Sequence, residues 1–150
     1  MERKEYWIEL RDKKNFRKLE AAIRKFLLKN SDTLRLTRMI WREIFKKKGD
    51  DNDSLFINVK KNLEKYFIKK IRNNKRYNDI KQTGNSLFEH YFYRLSKSIK
   101  DLLNKESLFF YPPVHPKNSF YAFEDPTFYK DNKTLGCVIS HENLIVLYLT

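Results

Sequence analysis

The sequence predicts a mainly α-helical protein, a helical bundle with a small antiparallel β element at its C-terminal end. Three observations predict it. Apolar residues recur at three- and four-residue spacing through most of residues 15–105. Helix-breaking residues are scarce, with Gly 3 and Pro 4 in 150 residues. After Lys105 the helical spacing gives way to short β-type runs, separated by Pro112-Pro113, Pro116, Pro126, Asp131-Asn132 and Glu142-Asn143.

Residues 1–14 mix charge with Tyr6, Trp7, Ile8 and Leu10, which suits either a short helix or a tether packing its aromatics on the body. From Asn15, an N-cap, Phe16, Leu19, Ile23, Phe26 and Leu27 trace a helical stripe that ends near Asn30. Leu34 and Leu36 form a short extended piece pointing inward. Thr37 then caps a second helix with Ile40, Trp41, Ile44 and Phe45 on its apolar face, closed by Lys46, Lys47, Lys48 and Gly49. The third helix, Ser54 to Arg72, organises the rest. Phe56, Val59, Leu63, Phe67 and Ile71 build its core face, and Lys60, Lys61, Lys65, Lys69, Lys70 and Arg72 fill the other side. Ser86 and Glu89 fit a capping box for a fourth helix, whose wide stripe runs from Leu87 to Leu103. In the tail, Leu108–Tyr111, Phe120–Phe123, Leu135–Ser140 and Leu144–Leu149 read as strands, the last two pairing across a turn at His141 to Asn143.

Charge divides the chain more sharply than hydropathy does. Residues 1–105 hold 29 of the 32 Lys and Arg and 14 of the 19 Asp and Glu, leaving three bases and five acids in residues 106–150. The first part suits a polyanion and the second does not, so the reading is a basic nucleic-acid-binding region followed by a docking element. The run from Leu19 to Ile71, with Ile23, Leu27, Leu36-Thr37, Ile40, Ile44, Leu63 and Phe67, resembles the DEK-type C-terminal domain. That resemblance implies a small winged-helix-like DNA-binding module of chromatin proteins. Here Asp53-Ser54-Leu55 stands where the family has Asp-Leu-Ser or Asp-Leu-Thr. Without the family, a basic third helix followed by a hairpin still suggests a helix-turn-helix or winged-helix element.

The expected contact surface for duplex phosphates comprises Lys46, Lys47, Lys48, Lys60, Lys61, Lys65, Lys69, Lys70, Arg72, Lys75 and Arg76. Asn58, Asn62, Asn73, Asn74 and Arg72 have side chains able to read base edges. Tyr121, Phe128 and Tyr129 are the expected partner-binding aromatics, Phe128 and Tyr129 lying in a loop and least needed by the core. Metal binding is not expected: Cys137 and His141 are spaced for a helix face rather than a strand and turn, and His90 and His115 are remote. Glu124, Asp125, Lys130, His141 and Glu142 are the one mixed acid, base and lysine set, but Glu124-Asp125-Pro126 reads first as a turn. No catalytic residue and no cofactor are assigned. The single cysteine and the charged first thirty residues point to an intracellular protein, nuclear in a eukaryote. No run approaches the roughly 20 apolar residues of a membrane span. The expectation is a non-catalytic DNA-binding accessory subunit, with an RNA-binding subunit or a small metal-dependent nuclease as alternatives.

Overall fold

Among the described residues, alternation rather than helical spacing accounts for about half of the positions. In a computed structural model, residues 2–10, 14–40, 60–75, 87–105, 124–139, 142 and 144–150 are described, without the side chains of residues 39, 40 and 124. They form β1 (Lys4–Glu9), α1 (Phe16–Asn30), β2 (Thr33–Ile40), β3 (Phe67–Asn73), β4 (Leu87–Arg94), α2 (Lys97–Asn104), β5 (Glu124–Lys130), β6 (Lys133–Ile139) and β7 (Leu144–Leu149). The seven strands make one sheet in the order β1-β7-β6-β5-β2-β4-β3. Every pairing is antiparallel.

The helices pack on one face. Ile23, Leu27 and Leu28 of α1 and Ile99 and Leu103 of α2 share a core with Leu34, Leu36, Tyr91, Tyr93, Phe128, Val138, Ile145 and Leu147 of the sheet. These sheet residues are alternate positions on their strands, so the period of two selects a single face. Gly136, between Phe128 and Leu147 in register, lets α1 approach closely: a Cβ there would stand 2.7 Å from Leu27 Cδ2. On the opposite face Cys137, Ile139 and Val146 form a second apolar cluster, beside the buried polar residues Arg35, Thr37, His90, Asp125 and Thr127.

Asp32 ties the elements together. Its side chain accepts hydrogen bonds from the Asp131 N–H and the Thr33 hydroxyl, both at 2.9 Å, and its carbonyl accepts from Leu95 N–H at 2.8 Å. The Asp131 N–H bond holds this carboxyl below its ordinary pKa against the opposing effect of burial. Asp131 and Asn132 both have positive φ, 50° and 64°, the conformation a two-residue hairpin requires and that Asp and Asn tolerate.

The fold class is therefore corrected from mainly α to mainly β. The first helix is where the spacing placed it, and so are the inward Leu34 and Leu36 and the β6–β7 hairpin. Thr37 caps no helix; it lies within β2 with its hydroxyl on His90. Of the organising helix, residues 60–62 are helical, but its remaining described part is a 3-10 turn at Glu64–Tyr66 followed by β3. Leu63 and Tyr66 are buried, whereas Phe67 and Ile71 are 44% and 39% exposed, so the supposed core stripe does not face a core. The fourth helix splits into β4 and the shorter α2, because β4 lies between β2 and β3 and has apolar residues on both faces. Within the N-terminal segment, Lys4–Glu9 supply an edge strand. Glu124-Asp125-Pro126 belongs to β5, inside the sheet. The second helix beyond Ile40, the start of the third, and the runs Leu108–Tyr111 and Phe120–Phe123 lie outside the described residues. Strands from both sides of residue 105 join directly where β5 pairs β2. No described helix is long and apolar enough to cross a membrane.

Candidate nucleic-acid interface

Six of the seven residues of β3 are exposed and the seventh, Asn73, is half-buried. The strand is an edge: among the described residues its only neighbour is β4. It is held in place at both ends. Leu63 and Tyr66, buried in the helical core, anchor the turn that leads into it. At the other end His90, fully buried on β4, reaches Asn73 Oδ1 and the Lys75 carbonyl with Nε2, each at 2.9 Å, and Thr37 Oγ1 with Nδ1 at 2.9 Å. Two acceptors face Nε2, so that nitrogen carries a proton and donates to them, while Nδ1 and the Thr37 hydroxyl share the third hydrogen bond. His90 is thus a structural clamp between β2, β4 and the end of β3.

The pleat of β3 divides its cations between the two faces. Lys69 lies on the face opposite the helices, its Nζ 4.9 Å from the centroid of the Phe92 ring. Lys70 and Arg72 lie on the helix side. Lys70 Nζ is 6.0 Å from the Tyr91 ring, and Lys60 Nζ, from the preceding turn, is 5.7 Å from the same ring. Lys65 Nζ lies 5.1 Å from the ring of Tyr66. These contacts order the lysine stems while leaving the ammonium groups at the surface. Arg72 differs, since its guanidinium pairs with Glu89 at 2.9 Å. Burial of the Glu89 carboxyl opposes ionisation, but hydrogen bonds from Tyr91 and Arg72 and the nearby Lys70 charge outweigh it and hold its pKa below the ordinary value.

The expected helical face of positive charge is therefore a strand edge and the turn before it. Lys60, Lys61, Lys65, Lys69, Lys70, Arg72 and Lys75 come together there, all exposed. Lys46, Lys47, Lys48 and Arg76 lie outside the described residues, as does Tyr121. Phe128 is not a docking residue: it is wholly buried beneath the helices, and Tyr129, half-buried, is 6.1 Å from Phe92 by ring centroids. Asn73 does not have its side-chain oxygen open for a base edge, since it also accepts the Lys75 N–H at 2.9 Å.

A second basic surface went unassigned in the sequence. On α1, Arg17, Lys18, Lys25 and Lys29 are exposed, while Glu20, the one acid of the helix, is buried 3.2 Å from Arg24. Lys18, Ala22, Lys25 and Lys29 recur at helical spacing, a signal legible beside the apolar stripe. Among the described residues no group of three His, Cys, Asp or Glu is placed to hold a metal ion. Burial pushes the Cys137 thiol up to about 12, with Arg35 opposing. No protein-family model, curated protein or solved structure matches the chain.

Proposed function

We propose that this protein is a non-catalytic nucleic-acid-binding subunit, gripping the phosphate backbone with the β3 edge and the turn before it, largely without regard to base sequence. The observation that carries this reading is the exposed, well-anchored edge strand whose Lys69 and Lys70 project from opposite faces. With Lys60, Lys61 and Lys65 alongside, a polyanion lying along the edge meets positive charge on both sides. The exposed cations of α1 add to the overall positive charge that attracts a polyanion. Lysines on an edge strand also deter edge-to-edge aggregation, and the experiment separates the two roles. Fluorescence anisotropy of a labelled DNA duplex at several salt concentrations should give a slope of several counterions. Replacing Lys65, Lys69 and Lys70 together by Ala should preserve the melting temperature, weaken binding and reduce the slope by about two to three. A flat slope in the native protein, or an unchanged slope in the variant, refutes the proposal.

Single-stranded RNA is the second reading, favoured by Phe67. This ring is 44% exposed within β3, between Lys65 and Lys69 in sequence, as in a stacking platform flanked by cations. Competition between the duplex and a single-stranded RNA at matched salt, repeated with Phe67→Ala, decides between them. Loss of an RNA preference in that variant assigns the site to splayed bases.

A further inference from the structure

The two edges of the sheet have opposite chemistry. Along β3, pairing with a second copy of itself would oppose Lys and Arg to Lys and Arg. The β1 edge, Lys4–Glu9, carries both signs and two exposed aromatics, Tyr6 at 45% and Trp7 at 56%. Among the described residues its only neighbour is β7. We infer that β1 is a self-association edge, pairing antiparallel with β1 of a second copy so that the two sheets become one.

Symmetry and charge together select the register. Two identical strands pair antiparallel in a continuous sheet only about a two-fold axis perpendicular to it, so residues opposed across the axis share a face. On β1, Glu5 and Trp7 lie on the face away from the helices, where Trp7 Nε1 donates to Glu5 Oε2 at 3.3 Å. Arg3 lies on that face too, its guanidinium 5.1 Å from the centroid of the Tyr148 ring. Tyr6 and Ile8 lie on the helix side, opposite Leu147 and Ile145 of β7. Centring the axis on Trp7 would set Glu5 against Glu9 twice, and centring it on Glu5 would set that carboxylate against its own copy. Centring it on Tyr6 opposes Arg3 to Glu9 at both ends, Lys4 to Ile8, Glu5 to Trp7, and Tyr6 to itself. Centring it on Lys4 would also pair Arg3 with Glu5 but would set Lys4 against its own copy, so the Tyr6 register is the one that pairs opposite charges without opposing like ones, and it brings the aromatics together at its middle. It places both helix layers on one side of the joined sheet and a basic β3 edge at each far end.

The interface is small, so the dimer is weak and depends on concentration. Sedimentation or light scattering over a concentration series should show the mass rising from 18.4 kDa toward twice that value. Arg3→Glu and Glu9→Arg each turn both end contacts repulsive and should weaken self-association about tenfold, from a fraction to one kcal/mol per cross-strand charge pair. An equimolar mixture of the two variants restores both contacts and should dimerise like the native protein, as should the double variant carrying both changes. These substitutions lie at exposed positions of an edge strand, so each protein should keep its native circular dichroism. A native protein that stays monomeric throughout the series overturns the inference. So do single variants that associate as strongly as the native protein, or a mixture that fails to recover.

Discussion

Gly136→Ala tests the packing of α1 on the sheet most directly. The added methyl would lie 2.7 Å from Leu27 Cδ2, 3.1 Å from Leu147 Cδ2 and 3.3 Å from the Val146 carbonyl oxygen. Leu27 is fully buried, so its terminal methyl can move only by displacing neighbours. Overpacking of this kind costs about 1–3 kcal/mol. Replacing glycine within a strand returns about 0.5–1 kcal/mol through the smaller entropy of the unfolded chain. The net loss should be about 0–2.5 kcal/mol, a fall in melting temperature of up to roughly 10 °C for a chain of this size. Leu27→Ala alone should cost about 2–5 kcal/mol by leaving a cavity. Combined, the two changes relieve each other, because the alanine at position 136 occupies space that Leu27 vacates. A double-mutant cycle by urea denaturation should therefore show favourable coupling of about 1 kcal/mol or more. Additive changes in that cycle would mean that α1 does not rest on this strand.

Glu89 and Asp32 both have pKa values below their ordinary ones in the folded protein, so their contribution is fully present above the ordinary carboxylate range. It is lost as pH falls through the folded values, below about pH 4. Glu89→Gln combined with Asp32→Asn should flatten the acid limb of a plot of melting temperature against pH, and parallel limbs would contradict the assignment. Cys137, with its thiol raised to about 12 and no exposed surface, should resist a thiol-reactive disulfide reagent at pH 8 and label fully in denaturant. Rapid labelling of the native protein would place the thiol at the surface.

The first helix was legible because α1 buries one face and exposes the other, the case for which helical spacing is diagnostic. β4 was not. His90 and Phe88 are buried on one face and Tyr91 and Tyr93 on the other, so both parities are apolar or enclosed, and a continuous run resembles a wide helical stripe. β5 was concealed by Pro126, which normally argues against an interior strand. The ladder accommodates it in an irregularity: the register with β2 shifts between Arg35 and Thr37, and Asp125 there adopts a φ of 49°. β3 misled through coincidence, since Leu63, Phe67 and Ile71 are four apart although only Leu63 is buried. The lysines of the candidate site were identifiable by charge alone. Their division between the two faces of a strand was not, because it follows from the local period, and that period depends on tertiary pairing with β4.

The pairing of β1 with β7 sets Lys4 beside Leu149. During synthesis on the ribosome, β1 emerges long before the strand that covers its inner edge, and the growing chain carries it unpaired until β7 clears the exit tunnel. Contacts joining such distant residues close late and slow folding. Tyr6 and Trp7 thus stay without their paired strand on the nascent chain until β7 has been made. Throughout that interval Arg3, Glu5 and Glu9 set charge beside both aromatics, the device by which unpaired strands deter pairing with other chains.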